Sequence, residues 1–198
     1  MKLVFNGKYS GDENTLPQRE HPENYQMFKE PDSSKFMLIA NGVSLIITLV
    51  FLALAVIPTF SYIKADLADG KPWLIFLAVI LPTLSIVPHE LLHAICFKET
   101  VYMYSFLQQG AMFVLGLEDM TKARFTFMSL LPNIIFGFVP FIVALIFPSL
   151  YWLGIFGALA IGAGAGDYIN VFNALTQVPK GGLIYMCGFH SYWYKPTV

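Results

Sequence analysis

The chain has 198 residues, of which 56% are hydrophobic and 13% are charged, whereas about a quarter of the residues in an ordinary soluble domain are charged. Its net charge of −1 provides no basic surface, so no nucleic-acid partner is expected. The charges are unevenly placed, with none in residues 36–63, one in 72–97 and one in 125–179. Because these stretches are apolar on every side, they argue against a soluble helical protein and predict an integral membrane protein.

Residues 1–36 form a polar segment that we expect to lie in the cytoplasm. Within this segment, Asn6-Gly7 predicts a small hairpin over residues 2–9, because this pair readily adopts the positive φ values of a two-residue turn. The membrane domain is expected to begin directly after this segment, at residue 37.

Four apolar stretches follow, each long enough for the roughly 20 residues that a transmembrane helix needs. Breaks are expected at Pro58, at Lys71-Pro72 and at Phe147-Pro148-Ser149. The predicted helices span residues 37–59, 73–97, 127–147 and 150–175. The lipid bilayer is therefore an expected partner, and the cell membrane is the expected location of this multi-pass chain.

The segment between the second and third predicted helices differs from the rest of the membrane domain. Residues 101–107 and 111–115 have strand-like compositions and flank the turn signal Gln108-Gln109-Gly110, which predicts a hairpin at the cytoplasmic membrane surface. This hairpin would act either as an interfacial lid or as a strand that binds substrate. The predicted fold class is an all-α integral membrane protein with about four transmembrane helices and a small β-hairpin between helices 2 and 3.

The distribution of Lys and Arg predicts the orientation of the chain. Five lie in the N-terminal segment, three between helices 2 and 3, and two in the C-terminal tail, against only Lys64 and Lys71 on the other side. The positive-inside rule therefore places both termini in the cytoplasm. The expected organisation is a cytoplasmic segment (1–36), a membrane domain (37–179) and a cytoplasmic tail (180–198).

The second apolar stretch contains the sequence His89-Glu90-Leu91-Leu92-His93. On a helix, the two histidines share one face, one turn apart, as two zinc ligands require. Glu90 is then placed to reach a metal-bound water and take its proton, so the motif predicts a Zn²⁺ cofactor and a hydrolase. The alternative is a set of polar residues that only joins helices, but ionisable groups are costly in lipid and usually mark function there.

A zinc ion bound by two histidines and a water needs a third protein ligand. Asp167 is the leading candidate, because it is the only charged residue in a stretch of 55. It comes 17 residues into helix 4, and the histidines come 16 and 20 residues into helix 2, so the three side chains should lie at a similar depth in the membrane. The amides Asn170 and Asn133 are candidates to bind substrate or an oxyanion. Rival third ligands are Cys96, Glu99, Glu118 and His190.

The motif His89-Glu90-Leu91-Leu92-His93, followed later by Gly166-Asp167-Tyr168-Ile169-Asn170, resembles a bacterial family of zincin peptidases, small membrane metalloproteins first known as a domain of unknown function. The resemblance extends over most of the chain, including Leu130-Leu131-Pro132 and Tyr192-Trp193-Tyr194. More distantly, the arrangement is similar to that of the site-two proteases. Both resemblances imply a membrane-embedded metallopeptidase.

The resemblance implies His89, His93 and Asp167 as zinc ligands and Glu90 as the general base. The expected activity is hydrolysis of peptide bonds by metal-activated water, in a protein or peptide substrate associated with the membrane. Two other functions fit the same residues. One is a metal-binding membrane protein without catalysis, such as a sensor, a scaffold or part of a transporter; the other is a metal-free helical adaptor.

Overall fold

The structure, a computed structural model, describes residues 1–31, 33–106 and 110–196. A π-helical segment, Asn133–Phe138, joins two of the helices. The helices are α1 (Ser33–Ala68), α2 (Trp73–Leu84), α3 (Ile86–Ala94), α4 (Lys122–Pro132), α5 (Val139–Ile146), α6 (Tyr151–Ala163) and α7 (Ala165–Gln177). The strands are β1 (Lys2–Lys8), β2 (Gln26–Met27), β3 (Thr100–Phe106), β4 (Ala111–Gly116), β5 (Met120–Thr121), β6 (Leu183–Cys187) and β7 (His190–Tyr194).

The chain divides into two compact units. The first, called here the sheet unit, consists of Met1–Glu30, Ile86–Leu130 and Ile169–Val198. The second, called here the helical unit, consists of Pro31–Ser85 and Leu131–Tyr168. These units are defined by contacts within the chain, whereas the predicted division into cytoplasmic ends and a membrane domain is defined by location relative to a membrane. That division stays a prediction.

The sheet unit contains two sheets. In the first, β1 lies parallel to β3, which pairs antiparallel with β4. In the second, the order is β2-β7-β6-β5, and neighbouring strands are antiparallel. Side chains from both sheets and from α3, α4 and α7 share one apolar core. Its most buried members include Phe28, Phe97, Val101, Phe125 and Ile184.

Helices dominate the structure, as predicted, but the all-α fold class is incomplete because the polar terminal segments pair into sheets. The predicted strands around residues 101–115 are present as β3 and β4. Gln108 and Gln109 of their turn lie outside the described residues, and the location of this pair at a membrane surface stays a prediction. The hairpin expected at Asn6-Gly7 is wrong. Gly7 instead has a φ of +79° within β1, at an irregularity in the pairing with β3.

In the helical unit, α6 packs against α1, α2, α5 and the π-helical segment. Two glycines make this close packing possible. A Cβ at Gly157 would lie 2.6 Å from the carbonyl oxygen of Gly137, and one at Gly162 would lie 1.8 Å from Thr48 Oγ1. Gly162 therefore lies close to α1, the helix that carries Thr48.

Two helices among the described residues, Met37–Ala68 and Lys122–Ile146, are long and apolar enough to cross a membrane. The number rises to four if α2 with α3, and α6 with α7, each count as one broken span. The break expected at Pro58 is wrong, since α1 continues to Ala68, and Thr59 Oγ1 donates to the Ala55 carbonyl 2.6 Å away beside this proline. An uninterrupted helix satisfies backbone groups that lipid cannot.

Candidate metal centre

The helix α3, which carries the His-Glu-Leu-Leu-His motif, begins at Ile86 because of Pro88. A proline inside a helix would clash with the carbonyl four residues earlier and cannot donate to it. The chain therefore turns at Ser85 and restarts, so that Pro88 occupies the first helical turn, where its missing N–H is not needed. The sequence predicted one unbroken helix here, and the break places His89 directly after the new first turn.

The structure brings the side chains of His89, Glu90 and His93 together. Their possible ligand atoms all lie within 4.8 Å of one another. Glu90 is 9% exposed and His93 is 7% exposed, while His89 is half-buried. Within the described part of the chain, these residues form the group of three that could hold a metal ion.

A backbone carbonyl orients His93. Its Nδ1 lies 2.8 Å from the carbonyl oxygen of Met128 on α4. Since a carbonyl only accepts hydrogen bonds, Nδ1 carries the proton, and the lone pair of the neutral ring is on Nε2. This is the usual arrangement of a metal-binding histidine, whose second nitrogen donates to a fixed acceptor.

The two histidines present a donor pair that suits zinc. Their Nε2 atoms are 3.1 Å apart, and the rings are inclined at 77° to each other. Two nitrogens at this separation can both bind one ion at the usual zinc–nitrogen distance of about 2.0–2.1 Å. The donor set of two imidazoles with a nearby carboxylate therefore fits a zinc ion.

An ion pair holds the C-terminal end of α3. Arg124 donates to the Cys96 carbonyl through Nε at 3.0 Å and Nη2 at 2.6 Å, and Nη2 also binds the Glu118 carboxylate. Glu118 in turn accepts from the backbone N–H groups of Lys98 and Glu99. These bonds satisfy the Cys96 carbonyl and the N–H groups of Lys98 and Glu99, and so they hold the segment that directly follows the motif helix.

In the helical unit, Asp167 lies in the first turn of α7, and Asn133 Nδ2 donates to Asp167 Oδ2 at 2.7 Å. Asn133 is 1% exposed and begins the π-helical segment. Asn170 is half-buried, one turn further along α7. That Asp167 completes the histidine site stays a prediction, as do the oxyanion roles of Asn133 and Asn170.

The rival ligands have other surroundings. Glu118 belongs to the ion pair just described, and Glu99 is exposed. His190 lies 3.9 Å from a carboxylate oxygen of Glu13 and of Glu30. Cys96 Sγ is 3.5 Å from the carbonyl of Leu92 in the preceding turn.

Three contributors to these sites could not be predicted from the sequence: the Met128 carbonyl, Arg124 and the hydroxyl of Tyr168. A backbone carbonyl has no sequence signal, and Arg124 comes 28 residues after the carbonyl it binds. Tyr168 follows Asp167 directly, but nothing in the local pattern indicates that it contacts Asn133, which lies 35 residues earlier. Such contacts depend on tertiary packing, which local periodicity does not encode.

The model of a protein family described as "Putative zincin peptidase" matches residues 82–183. This range covers just over half of the 198-residue chain. It includes the His89-Glu90-Leu91-Leu92-His93 motif, Asn133, Asp167 and Asn170. No curated protein and no solved structure matches the chain.

Proposed function

Because the chain belongs to the family described as "Putative zincin peptidase", we propose that it is a zinc-dependent metalloendopeptidase embedded in a membrane. The observation that carries this proposal is the group His89, Glu90 and His93, whose ligand atoms lie within 4.8 Å of one another on α3. The hydrogen bond from His93 to the Met128 carbonyl supports it, since it prepares Nε2 to bind a metal.

In this proposal, His89 and His93 hold zinc through their Nε2 atoms, and Asp167 supplies the third protein ligand. Zinc, when bound, acidifies a water molecule and polarises the carbonyl of the scissile peptide bond. Glu90 would take a proton from the water molecule while the oxygen of that water adds to the carbonyl carbon. Glu90 then passes this proton to the leaving nitrogen as the carbon–nitrogen bond breaks. Asn170 is the amide that we assign to hydrogen-bonding the substrate.

The substrate that we propose is a membrane-associated protein or peptide, and the chain would cross the membrane several times with both termini in the cytoplasm. Large apolar side chains on the helices support a lipid environment: Leu38, Ile57 and Phe76 are 74%, 75% and 69% exposed. Exposed apolar surface of this extent is unfavourable in water and normal in lipid. The concentration of Lys and Arg on one predicted side supports the orientation.

The metal content of the detergent-purified protein tests the site. We expect about one zinc ion per chain, as in other sites of this ligand type. His93→Ala should lose most of this zinc, and Asp167→Ala should bind it much more weakly. Cys96→Ala is the matched control. Cys96 comes three residues after His93, so this substitution alters the same region of the chain but should leave zinc in place. A metal-free wild-type protein, or full zinc content in His93→Ala, would contradict the proposal.

A further inference from the structure

The amide of Asn133 holds the carboxylate of Asp167. We propose that Asn133 is a positioning residue, which fixes Asp167 in the orientation that zinc binding requires. The inference rests on the proposed function, in which Asp167 is the third zinc ligand. It goes further by naming the residue on which that ligand depends.

The bond between the two side chains suits this role. Asn133 Nδ2 donates to Asp167 Oδ2 over 2.7 Å, and hydrogen bonds to an ionised acceptor are stronger than neutral ones. Because a carboxylate has about four acceptor positions on two oxygens, a donor on one oxygen leaves it able to bind a metal.

The amide is itself held in place from its other side. The hydroxyl of Tyr168 lies 2.9 Å from the Ile161 carbonyl and 3.2 Å from Asn133 Oδ1, so it donates between these two acceptors. The contact with Oδ1 defines which end of the amide faces Asp167, because the opposite orientation would place the carbonyl oxygen against the carboxylate. The resulting chain runs from Tyr168 through Asn133 to Asp167.

The backbone at Gly164 makes room for this amide. A Cβ on Gly164 would lie 1.7 Å from Asn133 Oδ1, so any other residue there would displace the amide. Gly164 also ends α6, which lets α7 begin at Ala165 and places Asp167 in its first turn.

This role differs from the oxyanion role predicted from the sequence. An oxyanion donor must point towards the substrate with an available N–H group. Asn133 is 1% exposed, its nitrogen donates to Asp167 and its oxygen accepts from Tyr168. It lies where a π-helical segment begins, a local distortion that is common at functional sites. The burial of Asn133 and its bond to Asp167 therefore support a role towards the ligand, and the oxyanion role stays a prediction.

Zinc affinity measured by chelator competition tests the inference without any need for activity. Asn133→Leu keeps the shape of the side chain but removes the donor, and it should weaken zinc binding about 10–100-fold, as loss of a residue that orients a ligand typically does. Thr59→Val is the matched control, since it removes a buried hydroxyl that bonds only within α1. It should leave zinc affinity unchanged.

Asn133→Leu, measured in the wild-type chain and in a chain with Asp167→Ala, distinguishes a positioning role from a general loss of structure. If Asn133 acts through Asp167, Asn133→Leu should cause little further loss of affinity in a chain that already carries Asp167→Ala, where the two histidines retain measurable residual binding. An equal loss in both backgrounds would overturn the inference, because the amide would then act on the fold. Full affinity in Asn133→Leu would overturn it as well.

Two glycine variants test in a second way whether zinc binding depends on the position of the Asn133 amide. Gly164→Ala should displace Asn133 and weaken zinc binding as Asn133→Leu does, whereas Gly166→Ala, which meets nothing within 4 Å, should not. Equal affinities in these two variants would contradict the inference.

If Asp167→Ala itself keeps full zinc affinity, the third ligand of the proposed function is wrong, and the inference is overturned with it. If only Asp167→Ala weakens binding, the inference alone fails.

Discussion

The sheet unit and the helical unit satisfy their buried polar groups in different ways. In the sheet unit, charged pairs such as Arg124 with Glu118 bind helix ends and loops. In the core of the helical unit, neutral donors do the same work: Thr59 donates to its own helix, and the amide of Asn133 donates to Asp167. Ion pairs are expensive where water is absent, so this difference is consistent with a lipid environment around the core of the helical unit.

The exposed surfaces of the two units differ in the same sense. Among the described residues, large apolar side chains that expose half of their area or more lie mainly on the helical unit, for example Leu38, Ile57 and Phe76, although Phe5 and Phe172 of the sheet unit are also exposed. The helical unit thus exposes many side chains of the kind that usually lie in a protein core. Defined changes in each unit test this comparison, beginning with the largest expected effect.

The largest effect expected is an all-or-none difference between two reporter positions. The Lys and Arg distribution places both termini in the cytoplasm and the turn after α1 on the opposite side. A reporter fused after Val198 should therefore behave as cytoplasmic, and one inserted after Asp69 as external, in intact cells. The reverse pattern, or the same side for both reporters, would contradict the proposed orientation.

The next largest effect concerns the ion pair of the sheet unit. Glu118→Ala leaves the guanidinium of Arg124 without its carboxylate, and breaking a buried pair in this way typically costs about 3–5 kcal/mol. Hydrogen exchange of β3 and β4 should therefore speed up strongly. Asp119→Ala is the control, since its pair with Arg19 is partly exposed and its loss should cost about 1 kcal/mol or less. Equal effects of the two variants would argue against a special role for Glu118.

A smaller effect is expected from added volume in the helical unit. A Cβ at Gly157 would lie 2.6 Å from one backbone oxygen and 2.7 Å from a backbone nitrogen, so Gly157→Ala must push α6 away at a cost of about 1–3 kcal/mol. Thermal unfolding in detergent measures this cost. Gly42→Ala on α1 meets nothing within 4 Å and should leave the midpoint unchanged. A Gly157→Ala protein as stable as Gly42→Ala would refute the close packing described for α6.

The smallest effect is a pH dependence of the sheet unit. Burial raises the pKa of Glu30 above its ordinary value, although the charge of His190 and the amide of Asn173 oppose this shift. The folded state therefore binds this proton more tightly than the unfolded state, and stability falls as the pH rises through the raised pKa. Glu30→Gln removes this loss.

Glu30→Gln should consequently be more stable than the wild-type protein at pH 7, and the advantage should disappear below about pH 4, where the carboxyl is protonated in both states. Thermal unfolding across this pH range measures the difference. Glu23→Gln, on the exposed surface, should show no such pH-dependent advantage. An advantage of Glu30→Gln that grows as the pH falls would contradict the assignment.

The parts of the structure that sequence could predict are those governed by local spacing. His89 and His93 share a helical face because four residues make about one turn, and the apolar stretches predicted helices because of their composition. The breaks at Ser85 and Gly164 were missed, although Pro88 explains the first of them. The expected hairpin at Asn6-Gly7 failed because β1 pairs with a strand almost 100 residues away. The contacts of Asn133 and Arg124 also join distant residues, which no local pattern specifies.

The central claim is that Glu90 activates water beside a zinc ion held by the two histidines. Glu90→Gln keeps the size of the side chain but cannot take a proton, so cleavage of a membrane-tethered reporter should fall about 10²-fold or more while zinc stays bound. Glu99→Gln, an exposed carboxylate just beyond α3, is the matched control and should leave both cleavage and zinc unchanged. A Glu90→Gln protein that retains zinc and cleaves at the wild-type rate would contradict the account.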